Sequence, residues 1–207
     1  MESNRKPQED IDAIRKIMER STRFISLSGM SGVIAGLIAI AGSIIAIMLI
    51  LNGNTDGNFP NLVSDDPGTA LLLFIDALLI LTLAVASALL LSYRKASRQG
   101  LKIWTPVSRR LLVNLSIPLV TGGIFIYLLY NNDIFGLIIP SMLIFYGLAL
   151  VNAGKFTYND IFYLGILEII CGLIAGLLPE YGIFLWIFGF GILHIVYGIL
   201  MYRKYDK

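Results

Sequence analysis

Two side chains stand out for the chemistry they could perform together. Glu168 lies in the apolar run Tyr163–Leu178, and His194, the one histidine of the chain, lies in the apolar run that follows Gly182. A carboxyl and an imidazole can exchange protons near neutral pH, and inside a membrane each is expensive unless it has a partner. Ten residues separate Glu168 from Leu178 and twelve separate His194 from Gly182. In two antiparallel helices, at ~1.5 Å per residue, the side chains then fall within ~3 Å of one depth. Gly165, Glu168, Gly172 and Ala175 share one helical face, and Gly191, His194 and Gly198 share another. Faces of small residues normally turn into a bundle. Burial disfavours the charged form of either group, and a charged partner favours it. Two readings stay open: a proton-responsive pair, as relay or pH switch, or one interhelical hydrogen bond worth roughly 0.6 kcal/mol that holds the last hairpin together.

Other candidates are weaker. Asp76 lies seven residues inside Thr69, ~10 Å below the outer boundary at 1.5 Å per residue, and is a secondary polar candidate with Asn114 as a companion. Cys171 reads as a small packing residue, because no His or Asp lies near it in sequence and a buried thiol is inert. One Cys and one His exclude the usual zinc spacings, a CxxC pair and an internal disulfide. No nucleophile–base pair or phosphate-binding glycine loop appears. The expectation is therefore no catalytic residues, no metal, no cofactor and no enzyme activity.

The elements that position these residues are membrane helices. Hydrophobic residues make up 57% of the chain and charged residues 14%, against about 25% charged in soluble domains. The apolar residues fall in runs long enough to cross a hydrocarbon core of ~30 Å. Six spans are expected: Ser31–Leu51, Thr69–Ser92, Leu111–Tyr130, Ile134–Val151, and two more on either side of the break Pro179-Glu180-Tyr181-Gly182. Pro118 and Pro140 should kink the third and fourth. Thr105-Pro106 reads as an N-cap followed by a first-turn proline. Trp104, Tyr130, Tyr158 and Tyr202 suit the interfacial belt. Asn52–Gly68 is a loop whose Asp56, Asp65 and Asp66 fit no calcium motif. Residues 1–28 form a tail with an amphipathic helix. Ile11, Ile14, Ile17 and Ile25 line one side, and Arg15, Lys16, Arg20 and Arg23 make a basic face suited to a membrane surface or a cytoplasmic partner. No secretory signal is visible, so the first span is expected to act as an uncleaved signal-anchor.

Orientation follows from the cations. Of sixteen Lys and Arg, six lie in residues 1–28, six in 93–110, one at Lys155 and three in 203–207. The intervening loops carry only Asp56, Asp65, Asp66, Asp133 and Glu180. Six spans with both termini cytoplasmic satisfy the positive-inside rule throughout.

The chain also echoes itself. Ser31-Gly-Val-Ile-Ala-Gly36 matches Cys171-Gly-Leu-Ile-Ala-Gly176, and Ser92-Tyr-Arg-Lys95 matches Met201-Tyr-Arg-Lys204. Tyr146-Gly147 matches Tyr197-Gly198, and Pro118 stands where the last hairpin has Glu168. Three hairpins, about 31–92, 111–152 and 160–202, are the simplest account. The run Gly165-Ile-Leu-Glu-Ile-Ile-Cys-Gly172, then Leu178-Pro179, Gly189-Phe-Gly191 and Tyr197-Gly198-Ile199, resembles the HdeD-like acid-resistance membrane proteins. The resemblance is clear over 163–204, partial over 111–155 and weak over 31–95. It implies a role in acid or envelope stress and assigns no chemistry to particular residues.

The sequence thus points to an all-α membrane protein of six transmembrane helices in three repeated hairpins (29–207), preceded by the amphipathic helix. The expected function is that of a non-enzymatic, multi-pass protein of the bacterial inner membrane, of the stress-response type, acting by packing, homo-oligomerisation or partner docking. The alternative is a small proton-coupled transporter or channel using Glu168 and His194. Membrane lipids are its expected surroundings, and no nucleic-acid partner is expected.

Overall fold

The computed structural model describes Glu9, Ile11, residues 27–52 and residues 67–206. Among these residues the structure is helical, with no strand, and six helices are long and apolar enough to cross a membrane. The basic face of Arg15, Lys16, Arg20 and Arg23, and the loop acids Asp56, Asp65 and Asp66, lie outside the described residues. The chain is an all-α, multi-pass membrane protein.

The spans are α1 (Gly29–Asn52), α2 (Pro67–Arg98), α3 (Pro106–Asn131), a 3-10 turn Phe135–Leu137 leading into α4 (Ile138–Gly154), α5 (Asn159–Leu177), and a composite sixth span. The last opens with a 3-10 turn at Pro179–Tyr181, runs through α6 (Gly182–Trp186) and a π-helical stretch Ile187–Leu193, and finishes as α7 (His194–Tyr205). α2 continues beyond Ser92 because its last turn carries Lys95 and Arg98, which complement the negative helix end. Gly100 then closes it at φ +65°, with the Leu101 amide donating to the Ala96 carbonyl at 2.9 Å. α3 begins as expected: the Thr105 hydroxyl accepts from the Ser108 amide, Ser108 returns the bond to the Thr105 amide, and Pro106 holds the first turn.

The two prolines behave differently. Pro118 sits inside α3 without ending it. Pro140 does not kink a fourth span, because α4 starts only at Ile138. In that first turn the amide that proline lacks has no intrahelical partner to lose.

Packing departs from a simple set of hairpins. α5 lies chiefly along α4, and the sixth span lies chiefly along α1. Glycines bring these backbones together. A Cβ at Gly147 would stand 2.6 Å from the Gly165 carbonyl oxygen, and one at Gly172 would stand 2.9 Å from the Pro140 oxygen. On the other side, a Cβ at Gly198 would stand 2.9 Å from the Gly29 oxygen, and one at Gly36 would stand 2.6 Å from the Gly191 oxygen. Only residues without a side chain permit such contact. The last hairpin therefore forms through these two seams as much as through its own two helices. Leu143, Ala149 and Ala175 are fully enclosed, and Leu150, Ile161, Leu164 and Met201 complete the core between α4, α5 and α7.

A polar clasp gathers the helix ends on the basic side. Asp206 accepts from the Ser28 hydroxyl at 3.0 Å, the Gly29 amide at 2.9 Å and Lys95 Nζ at 2.6 Å. Lys95 also donates to the Leu27 carbonyl at 2.9 Å. The ends of α1, α2 and α7 are thereby tied together. Nearby, Tyr205 donates to Asp160 at 2.7 Å and stacks on Tyr158 with ring centroids 3.8 Å apart. Tyr158 is thus buried in the clasp and is not an interfacial anchor, whereas Trp104, Tyr130 and Tyr202 are exposed as expected.

Candidate functional site

Glu168 and His194 do meet. Glu168 projects from the middle of α5 and is completely buried. His194 is the first residue of α7, directly after the π-helical stretch, and is also buried. Its Nδ1 lies 3.4 Å from Glu168 Oε1. The faces expected from sequence are the buried ones: Gly165, Glu168, Gly172 and Ala175 on α5, and Gly191, His194 and Gly198 on the sixth span.

The contact is close without being a hydrogen bond. His194 Nδ1 instead lies 3.0 Å from the Gly189 carbonyl oxygen, and Nε2 lies 2.7 Å from the Tyr146 hydroxyl on α4. A carbonyl can only accept, so Nδ1 carries the proton. In a neutral ring Nε2 then accepts from Tyr146. Both nitrogens are thereby used, and both Glu168 oxygens remain buried without a hydrogen-bond partner. Gly189 supplies the acceptor and the space: a Cβ there would stand 2.5 Å from Glu168 Oε2 and 2.8 Å from a Leu143 methyl. π-Helical turns are rare and recur at functional sites. Here the turn places a backbone carbonyl and a missing side chain against one carboxyl group.

The walls are aromatic and apolar. Phe190 lies 4.9 Å from Tyr146 and 5.0 Å from Trp186, ring centroid to centroid. Phe190 also lies against the His194 ring, and the enclosed Leu143 lies on the Glu168 side. Among the described residues, Cys171 is a free, buried thiol on α5.

Asp76 stands apart. It is half-buried on the α1-facing side of α2, where a Cβ at Gly42 would lie 3.5 Å from its Oδ1. Asn114 does not join it, and donates to the Arg110 carbonyl of its own helix at 2.8 Å. Sequence reasoning missed Tyr146 as the third member of the trio. Its signal is present, since Tyr146-Gly147 echoes a pair in the last span, but that echo points to an internal repeat and not to a polar side chain in the site. The π-helical stretch has no sequence signature beyond the paired Gly189 and Gly191.

Comparison with protein-family models, with curated proteins and with solved structures gives no match.

Proposed function

We propose that this is a non-enzymatic, proton-responsive protein of the bacterial inner membrane, with both termini in the cytosol, and that Glu168 is its titrating group. One observation carries the reading: both oxygens of a fully buried carboxyl lack a partner, while the nearest N–H, on His194, is given to Gly189. A lone carboxylate in such surroundings is costly. Two arrangements relieve the cost. In one, Glu168 is the neutral acid and His194 keeps its present bonds. In the other, Glu168 has released its proton to solvent and the neutral His194 turns its Nδ1–H from Gly189 to the carboxylate. The second state frees the Gly189 carbonyl, while Nε2 goes on accepting from Tyr146. Loss of one proton thus moves a hydrogen bond from the sixth span to α5, which is how a protonation event becomes a change in packing.

The resemblance of 163–204 to HdeD-like acid-resistance proteins points the same way, toward a response to acid. The likeness of the two glycine seams supports reading the chain as repeated hairpins. A transporter built on the same pair needs a polar path to both faces. The apolar enclosure by Leu143 and Phe190 favours a sensor over a conduit.

Trp186, beside Phe190, offers the test. In a Trp104→Phe background in nanodiscs, its emission should change with pH, and Glu168→Gln should abolish the change. Superimposable pH profiles with and without Glu168 would refute the reading. Proton flux into proteoliposomes that depends on Glu168 would replace it with the transporter.

A further inference from the structure

We infer that the open side between α2 and α3 binds an anionic phospholipid, its headgroup on a collar of arginines and lysines and an acyl chain along the two helices. This inference is independent of Glu168. Two sides of the bundle are closed by glycine seams, α1 with the sixth span and α4 with α5. α2 and α3 are joined by a short loop yet do not pack on each other along their length. Buried residues of α2 are limited to Ala70, Ser92 and Ala96, and those of α3 to Ser108, Gly122 and Leu129. The sequence gives the reason. Setting Ser92-Tyr-Arg-Lys95 against Met201-Tyr-Arg-Lys204 puts Leu89 and Thr82 where the sixth span has Gly198 and Gly191. With Thr82 and Leu89 exposed at these places, α2 offers no glycine face for a seam that closes backbone to backbone, while Leu115 of α3 packs against the core. Leu89 is accordingly 62% exposed.

Charge identifies the occupant. Arg94, Arg98, Lys102, Arg109 and Arg110 surround the end of this gap, all are exposed, and none has an ion-pair partner among the described residues. The positive end of α3 points to the same place. Trp104, 69% exposed, sits at the rim, where indole rings meet headgroups. A second copy docking by this face would bring two cationic collars together, so like-charge repulsion opposes it. An anionic lipid satisfies both the collar and the apolar gap below it.

Nanodiscs with brominated acyl chains test this, since bromine quenches tryptophan on contact. In a Trp104→Phe, Trp186→Phe background, a Leu89→Trp reporter should be quenched with about fivefold preference by brominated phosphatidylglycerol over brominated phosphatidylcholine, the ratio contributed by about one basic residue near an anionic surface. An Ile170→Trp reporter, on the exposed side of α5, should show no preference. Replacing Arg94, Arg98, Arg109 and Arg110 by Ala should remove the preference at position 89. Equal quenching by the two lipids at position 89, or equal preference at 89 and 170, would overturn the proposal. So would shielding of the position-89 reporter from both lipids, the sign of a protein partner on this face.

Discussion

Glu168 Oε1 and His194 Nδ1 stand 3.4 Å apart, yet the imidazole proton goes to Gly189, whose carbonyl oxygen is 3.0 Å away. One N–H thus faces two acceptors, and only a small ring movement separates the alternatives. The competition exists because the sixth span is π-helical from Ile187 to Leu193, up to the residue before His194.

Gly189 is the position where this arrangement is most easily damaged. Gly189→Ala places a methyl 2.5 Å from Glu168 Oε2. Overpacking of this kind should cost about 1–3 kcal/mol in thermal unfolding in detergent. Adding Glu168→Ala should restore part of the loss, because the nearer clash partner is gone while the Leu143 methyl remains 2.8 Å away. If the double variant is no more stable than Gly189→Ala alone, Glu168 is not what the methyl strikes.

The seams predict a sharp division among glycines. Gly147→Ala and Gly198→Ala push a methyl into the backbone of the facing helix and should each destabilise by about 1–3 kcal/mol. A Cβ at Gly123 meets nothing within 4 Å, so Gly123→Ala should be neutral or slightly stabilising. Unfolding midpoints in one detergent decide the matter, and similar losses at all three positions would contradict the seam assignment.

Much of this architecture was legible in the sequence, and the reasons for the remainder are physical. Six spans follow from apolar runs, because lipid demands uninterrupted helices. The shared depth of Glu168 and His194 follows from counting residues to a common turn. Which helices would be chief neighbours did not follow: a short turn implies that α5 and the sixth span touch, but not that Gly147 and Gly165 draw α5 more closely onto α4. Tyr146 joined the site from a third helix, and counting along one hairpin could not reach it. The clasp of Lys95, Asp206 and Leu27 joins three chain segments by tertiary contact and carries no local motif.

That clasp has its own consequences. The Lys95 and Asp206 side chains are 10% and 8% exposed. Lys95→Met leaves the carboxylate without its cation and should cost about 3 kcal/mol, while Lys95→Met with Asp206→Asn should recover part of it. Burial first, then the Asp206 charge, pushes the Tyr158 phenol from 10.0 up to about 12. The fold favours the protonated phenol, so this contribution is complete below pH 10 and is lost as pH rises through about 12. Tyr158→Phe should flatten that alkaline limb of the stability profile. An unchanged limb would assign it to another group.

Infrared difference spectroscopy reaches the central claim most directly. The C=O stretch of a protonated glutamic acid is separable from that of carboxylates, and Glu168→Gln identifies which band belongs to Glu168. Titrating the wild type in lipid from acid to mildly alkaline conditions should convert that band into a carboxylate band, with imidazole bands of His194 changing in step. An acid band that persists unchanged across the range, or an imidazole that titrates without it, would contradict a proton-responsive Glu168 and leave the trio as a fixed interhelical contact.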